Sequence, residues 1–357
     1  MTRDELVEAV RLGEPIQAVS FAGVDLAGVD LGGGIFEEVS FAECGLQRAS
    51  LAESVLTRCS FEHADLGEAD LHLATFDHCV FTRASVVGAR LIGAVFHHVD
   101  ATSLDARRAR AKHATWYRSD LSGACFDSAQ LERAVLLEST CTELDLSRTH
   151  LLHTTLLDAD LTTARFDETS FEVTALIGAK LTGRSFRGQR LVHVQLMNAD
   201  LRGCDFSGAD LTQCNFKGAD LSGAELDGVT APNALFVEAC LGSASLRGAK
   251  LHQALFIGAD VRGADFEGAD LRQAIFHDAR ANGARFNDAK MKEADLSRAD
   301  LRDTDFTGAG LYRARFHSVL VDRARFGLNR RVALGTDDAL ARAEAFSPEP
   351  VTRGDST

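Results

Sequence analysis

Proline is scarce in this chain, four in 357 residues, and the amphipathic aromatics are scarcer, with one Trp and two Tyr against 22 Phe. Proline is kept out of hydrogen-bonded ladders, so its rarity suits an extended ladder-rich fold. No apolar run approaches the ~20 residues that span a bilayer. The opening "MTRDELVEAVRLGEP" has neither the basic nor the apolar segment of a signal peptide. The eight cysteines show no zinc-type spacing, and reduced thiols in a cytoplasmic protein are expected. Basic charge is also short. A net charge of −14 disfavours direct binding to nucleic acid or to an anionic membrane. A search for a nucleophile with its base, paired carboxylates in a cleft or a phosphate-binding loop finds none, so no enzyme and no cofactor is expected.

What the chain does have is a frame. Stepping by five from Ile16 through Phe21, Leu26 and Leu31 to Phe326 passes 63 centres without insertion or deletion, of which 30 are Leu and 21 Phe. The slot two residues before each centre is small, most often Ala. The slot just before it is often Asp, and the two after it are polar or Gly. Neither the 3.6-residue helix nor the two-residue strand explains a period of five. A chain that turns a corner every five residues does. The centre and the small residue point inward, and four sides close a square coil of 20 residues. One coil cannot bury its own Leu and Phe, but stacked coils bury a continuous column.

The phrase seen in Ala209-Asp210-Leu211 and Ala219-Asp220-Leu221 resembles that of the pentapeptide-repeat proteins. The resemblance implies an all-β fold, a right-handed quadrilateral parallel β-helix of about 16 coils with short helical caps. With coils spaced like paired strands, the rod would be on the order of 75 Å long. The expected organisation is an N-terminal helical cap over 1–15, the solenoid over 16–331, and a C-terminal short helix and flexible tail over 332–357. Thr2 and Glu5 have capping-box spacing ahead of "LVEAV", placing the first helix over 2–12. "DDALARAEAF" (337–346) reads as the second helix and "SPEPVTRGDST" as a mobile tail.

Residues 20 apart stack on one wall. On the wall centred at 16, 36, 56 and onward, the normally polar slots carry an apolar stripe. The preferred protein interface on it comprises Val135, Leu137, Leu157, Ile177, Met197, Leu235, Val237, Leu255, Ile257 and Ile275. Residues 101–116 thin the core with centres Ala101, Ala106 and Ala111, and Leu104 is expected to fill the gap. The same stretch carries a basic patch, Arg107, Arg108, Arg110 and Lys112. Arg184 and Gln189 occupy inward slots, where a local bulge is expected to turn them outward. Asp77, His78, His97 and His98 fall on neighbouring coils but read as solvent-facing side chains, and no metal is assigned.

The function expected is non-enzymatic: a scaffold presenting its apolar wall to a second copy or to a partner protein. The resemblance implies an alternative, because some members imitate the width and acidity of DNA and protect DNA gyrase. Asp200, Asp210, Asp220, Asp260 and Asp270 would supply that charge, although Arg and Lys interrupt the acidic columns. The lead-in "RLGEPIQAVSFAGVDLAGVDL" is similar to the start of members associated with bacterial type VI secretion, an adaptor-like third reading.

Overall fold

Every fifth residue from Ala18 to Arg323, with the exception of Thr163, has a positive φ, between 49° and 77°. In the computed structural model, which describes residues 1–345, these left-handed residues are the corners of a right-handed quadrilateral parallel β-solenoid of about 16 coils. The left-handed residue is the second after each centre, which is why that slot is so often Gly.

The unit 201–205 shows how five residues satisfy their own backbone. The N–H of Leu201 donates to the Asp220 carbonyl of the next coil (2.8 Å), that of Gly203 to the Ser222 carbonyl (3.1 Å), and that of Asp205 back to the Arg184 carbonyl (3.0 Å). The N–H of Cys204 closes the turn on the Leu201 carbonyl at 3.1 Å. The remaining N–H, on Arg202, is accepted by the side chain of Asp200 at 3.3 Å. Asp before the centre is therefore a backbone acceptor at the corner. Asp25, Asp65, Asp120 and Asp295 do the same for the second residue after them.

The first wall, centred at 16, 36 and onward, is built differently in its N-terminal half. There it is an eight-stranded parallel sheet of β1 (Ile16–Gln17), β2 (Ile35–Glu37), β3 (Val55–Thr57), β4 (Thr75–Asp77), β5 (Val95–His97), β6 (Thr115–Tyr117), β7 (Val135–Leu137) and β8 (Thr155–Leu157). From β2 on, every strand opens on a β-branched residue, as extended backbone favours. After Leu157 the slot turns to Ala175, Gln195 and Asn215, and the hydrogen-bonded corner takes over, as in Ala179 N–H to the Leu176 carbonyl at 3.3 Å. Two short strands on the opposite wall, β9 (Asp305–Phe306) and β10 (Arg325–Phe326), pair near the C-terminal end.

All centres from Ile16 to Phe316 are buried. The Phe rings stack along walls and meet edge-on across the tube. Phe216, Phe236, Phe256 and Phe276 lie 4.9, 4.8 and 4.5 Å apart with their rings nearly parallel, and Phe256 meets Phe266 at 90°. Such contacts add to area burial. Leu104 is buried in its small slot beside the alanine centres, and Trp116 stacks on Phe96 at 5.2 Å.

Small polar residues in inward slots share one task. Cys59, Cys79, Ser119, Thr174 and Cys204 donate to the carbonyl of the centre 23 residues earlier, Phe36, Leu56, Phe96, Leu151 and Leu181 respectively. Burial pushes the Cys141 and Cys214 thiols up to about 12, so these cysteines pack as small neutral groups.

The ends are closed by local means. The first helix, α1 (Arg3–Arg11), has the Thr2–Glu5 capping box and buries Leu6, Ala9 and Val10 against the first coil. At the other end the last coil is one residue short: Arg315 pairs with Leu334, 19 positions on. A 3-10 turn at Leu328–Val332 brings the Arg330 guanidinium 4.8 Å from the Phe316 ring and 5.1 Å from the Phe326 ring, over the end of the column. The second helix, α2 (Asp338–Glu344), follows. Phe346 and the tail "SPEPVTRGDST" lie outside the described residues. No helix among the described residues is long and apolar enough to cross a membrane.

The inward hydroxyls give a stability prediction. Ser119→Ala leaves the Phe96 carbonyl and the Val99 N–H without their side-chain partner. It should cost about 1–3 kcal/mol in denaturant unfolding, whereas Ser103→Ala at a solvent-facing corner should stay within about 0.5 kcal/mol.

Candidate functional site

The first wall is where the slot before the centre turns from polar to large apolar side chains. In place of Asp it carries Val135, Leu235, Leu255 and Ile275, and the following slot carries Leu137, Leu157, Ile177, Met197, Val237 and Ile257. All ten side chains are half-buried, so none lies inside the tube. Leu137 stacks on Leu157 in the sheet, and Leu235, Leu255 and Ile275 stack by successive bridges. The stacking covers part of each side chain. With no carboxylate beside them, the N–H groups of Ile177, Val237 and Ile257 have no hydrogen-bond partner among the described residues.

The row is divided rather than continuous. Asn215 donates from Nδ2 to the Gln195 Oε1 at 3.2 Å, and Lys217 is exposed in the following slot. One apolar segment therefore runs from Val135 to Met197 and another from Leu235 to Ile275. Farther up the wall, Ile35, Val55 and Val95 are more open, at 50%, 46% and 37% exposure, than any of the ten. Ile35 and Val55 stack on each other, but their neighbours in the following slot are Glu37, Thr57 and His97, so no apolar side chain shields them from that direction.

At the C-terminal end, α2 lies beside this wall. Glu344 accepts from His317 Nε2 at 3.1 Å and pairs with Arg298 at 3.4 Å, while the Asp337 N–H donates to His317 Nδ1 at 3.1 Å. Between α2 and the wall runs a groove of about 930 Å³, with Ile257, Ile275 and Leu340 on its apolar side and Asp295, Arg315 and Glu344 among its polar lining.

The basic patch is partly neutralised. Arg107 makes a two-point contact with Asp105 (2.8 and 2.6 Å), and Lys112 pairs with Glu132 at 3.2 Å. Arg108 and Arg110 have no ion pair among the described residues, and the corner between walls separates them from each other. Arg184 and Gln189 correct the expectation of a bulge. Both keep their turn bonds, to Leu181 and Phe186, and both carbonyls keep their bonds to the next coil. Breaking the ladder would cost several backbone bonds, so the long side chains run outward to partial exposure instead. Arg184 reaches the Ala164 carbonyl at 3.3 Å.

The acidic columns are tied down by a pairing that the repeat phrase conceals. In Asp-x-Arg, the Arg after the centre folds back onto the Asp before it: Arg202 on Asp200, Arg262 on Asp260, Arg272 on Asp270 and Arg302 on Asp300, each with two contacts of 2.6–2.9 Å. Arg280 adds a second partner to Asp260 at 3.1 Å. These arginines hold the Asp200 and Asp300 carboxyls down to about 2. Asp77, His97 and His98 also converge, on β4 and β5 and the corner that follows.

Profiles for pentapeptide repeats match this sequence at residues 20–58, 59–97, 117–151, 145–183 and 185–218, and a second profile, the pentapeptide repeat region, matches at 209–286 and 249–326. No curated protein matches significantly. Solved structures with a similar course include trypsin-treated QnrB1, a plasmid-mediated fluoroquinolone resistance protein, at 20% identity over 60% of this chain and 91% of that one, TM-score 0.35. Another is HetL, a pentapeptide repeat protein involved in heterocyst differentiation regulation from the cyanobacterium Nostoc sp. strain PCC 7120. It is 24% identical over 80% of this chain and 96% of its own, with a TM-score of 0.21.

The depressed carboxyls predict an acid limit. A group whose pKa falls on folding stabilises the fold fully above its unfolded value, ~4 for Asp, and loses that contribution as pH drops through its folded value. With Asp200 and Asp300 at about 2 and their like along the rod also lowered, the thermal midpoint should be flat above about pH 5 and fall between pH 4 and 2. Circular dichroism melts across that range check it.

Proposed function

This chain belongs to the pentapeptide-repeat family, and we propose that it is a non-enzymatic scaffold that holds a partner protein, or a second copy of itself, against the apolar first wall. The observation that carries the reading is the double consequence of losing Asp at those corners. The wall gains Leu, Ile, Val and Met side chains, and it leaves the N–H groups of Ile177, Val237 and Ile257 open. Apolar contact area with unsatisfied donors in its midst suits an interface, where a partner's carbonyls complete the hydrogen bonding. On the other walls many carboxylates and arginines pair with one another, and open N–H groups such as those of Thr182 and Val192 lie beside Lys180 and Arg190 rather than in a run of Leu, Ile and Met.

That pairing weighs against imitation of DNA. Asp200, Asp260 and Asp270 are each engaged by an arginine, so the columns present alternating rather than uniform charge. Nothing in the geometry favours the secretion-adaptor reading.

The test is a double substitution, Leu157→Asp with Ile177→Asp, away from α2. Light scattering and affinity capture from the native host should show loss of self-association or of the captured partner, while the β-rich circular dichroism is kept. Gln130→Asp on another wall should leave both intact. An unchanged mass and an unchanged partner set in the double variant would overturn the proposal.

A further inference from the structure

Strands β4 and β5 pair in register, so Asp77 sits directly beneath His97, and the corner residues His78 and His98 stack one above the other. Three imidazoles thereby crowd one carboxylate. His97 Nδ1 lies 2.8 Å and His78 Nδ1 3.0 Å from the same Asp77 Oδ1. The ring centres of His97 and His98 are 4.2 Å apart, and those of His78 and His98 4.7 Å. Tyr117 stacks on His97 from the next coil at 5.1 Å. The corner backbone is held by the ladder, with φ of 53° at His78 and 52° at His98.

The cluster is not complete as a hydrogen-bonded set. His98 Nδ1 is buried yet has no hydrogen-bond partner among the described residues. A buried polar atom left alone is costly and calls for an explanation. Two of the three rings also share a single oxygen of the one carboxylate. An electron-pair acceptor placed among them would use the orphaned nitrogen and the carboxylate together.

We propose that Asp77, His97 and His98, with His78 as the adjacent fourth donor, form a binding site for one late first-row divalent ion such as Zn²⁺ or Co²⁺. One donor atom from each of Asp77, His97 and His98 lies within 4.8 Å of the others. A tetrahedral zinc ion holds such atoms roughly 3.3 Å apart, a closure that side-chain rotation supplies on a fixed backbone. Imidazole-rich donor sets select this class of ion over Ca²⁺ or Mg²⁺, which take oxygen ligands. Among the described residues no other group of His, Cys, Asp or Glu converges in this way. The site lies on the first wall, two coils before Leu137, and does not depend on the docking reading of that wall.

The test uses tag-free, chelator-treated full-length protein titrated calorimetrically with Zn²⁺, and with Co²⁺ followed by its visible absorption. The expected result is one ion per chain. His97→Ala with His98→Ala should abolish binding, Asp77→Asn should weaken it at least about tenfold, and His113→Ala with His153→Ala should leave it unchanged. Unaltered circular dichroism in each variant excludes a folding effect. Absence of wild-type binding at 100-fold excess of either ion, or full binding by the His97/His98 double variant, would overturn the assignment.

Discussion

The left-handed corner is the constraint on which everything else rests. A non-glycine residue in that conformation costs roughly 1–2 kcal/mol, and this chain adopts it at most of its units with Glu, Arg, His and even Leu73 and Val173. The cost is tolerable because each corner releases backbone groups into bonds with the coils above and below, as the unit 201–205 shows. Stability is thus shared between neighbours along the rod rather than lodged in a central core. Thr163 tests the rule from the other side. It alone in the frame avoids the left-handed region, and its hydroxyl accepts the Glu143 N–H at 2.8 Å, a bond that a backbone carbonyl makes elsewhere.

The same accounting explains the composition of the phrase. Leu and Phe fill the tube, and Ala leaves room for them. Asp supplies the one acceptor that the backbone lacks. Where Asp is replaced by β-branched residues, the wall becomes a true parallel sheet through Leu157. Where it is replaced by Ala175, Leu235 or Leu255 at a hydrogen-bonded corner, the N–H of Ile177, Val237 or Ile257 is left open. A greasy wall with open donors is therefore one change with two effects; open N–H groups also follow Arg90, Lys180 and Arg190 on other walls, so it is the run of apolar side chains that separates the first wall from the other three.

Much of this was legible in the sequence because a strict period admits little else. The centres, the inward small slots, the stacking of residues 20 apart and the capping box at Thr2 all follow from counting. Other features depend on competition between forces of similar size. The bulge expected at Arg184 and Gln189 lost to the ladder, since side chains bend more cheaply than backbone bonds break. The fold-back of Arg202 onto Asp200 could have been read from the Asp-x-Arg spacing once both side chains were assigned to one edge of a corner. The service of Cys59, Ser119 and Thr174 to carbonyls one coil away has a constant 23-residue offset, but its meaning needs the coil pitch. The seating of α2 beside His317 carries no periodic signal.

The measurement that bears most directly on the central claim, that the first wall is a contact surface, is hydroxyl-radical footprinting of side chains. The free protein at low concentration is compared with the complex recovered under native conditions. The account predicts that labelling of Leu157, Ile177 and Met197 falls in the complex, while Leu73 and Leu152 on another wall, exposed by 50% and 37%, keep theirs. Protection of Leu73 and Leu152 with the first wall still fully labelled would contradict it.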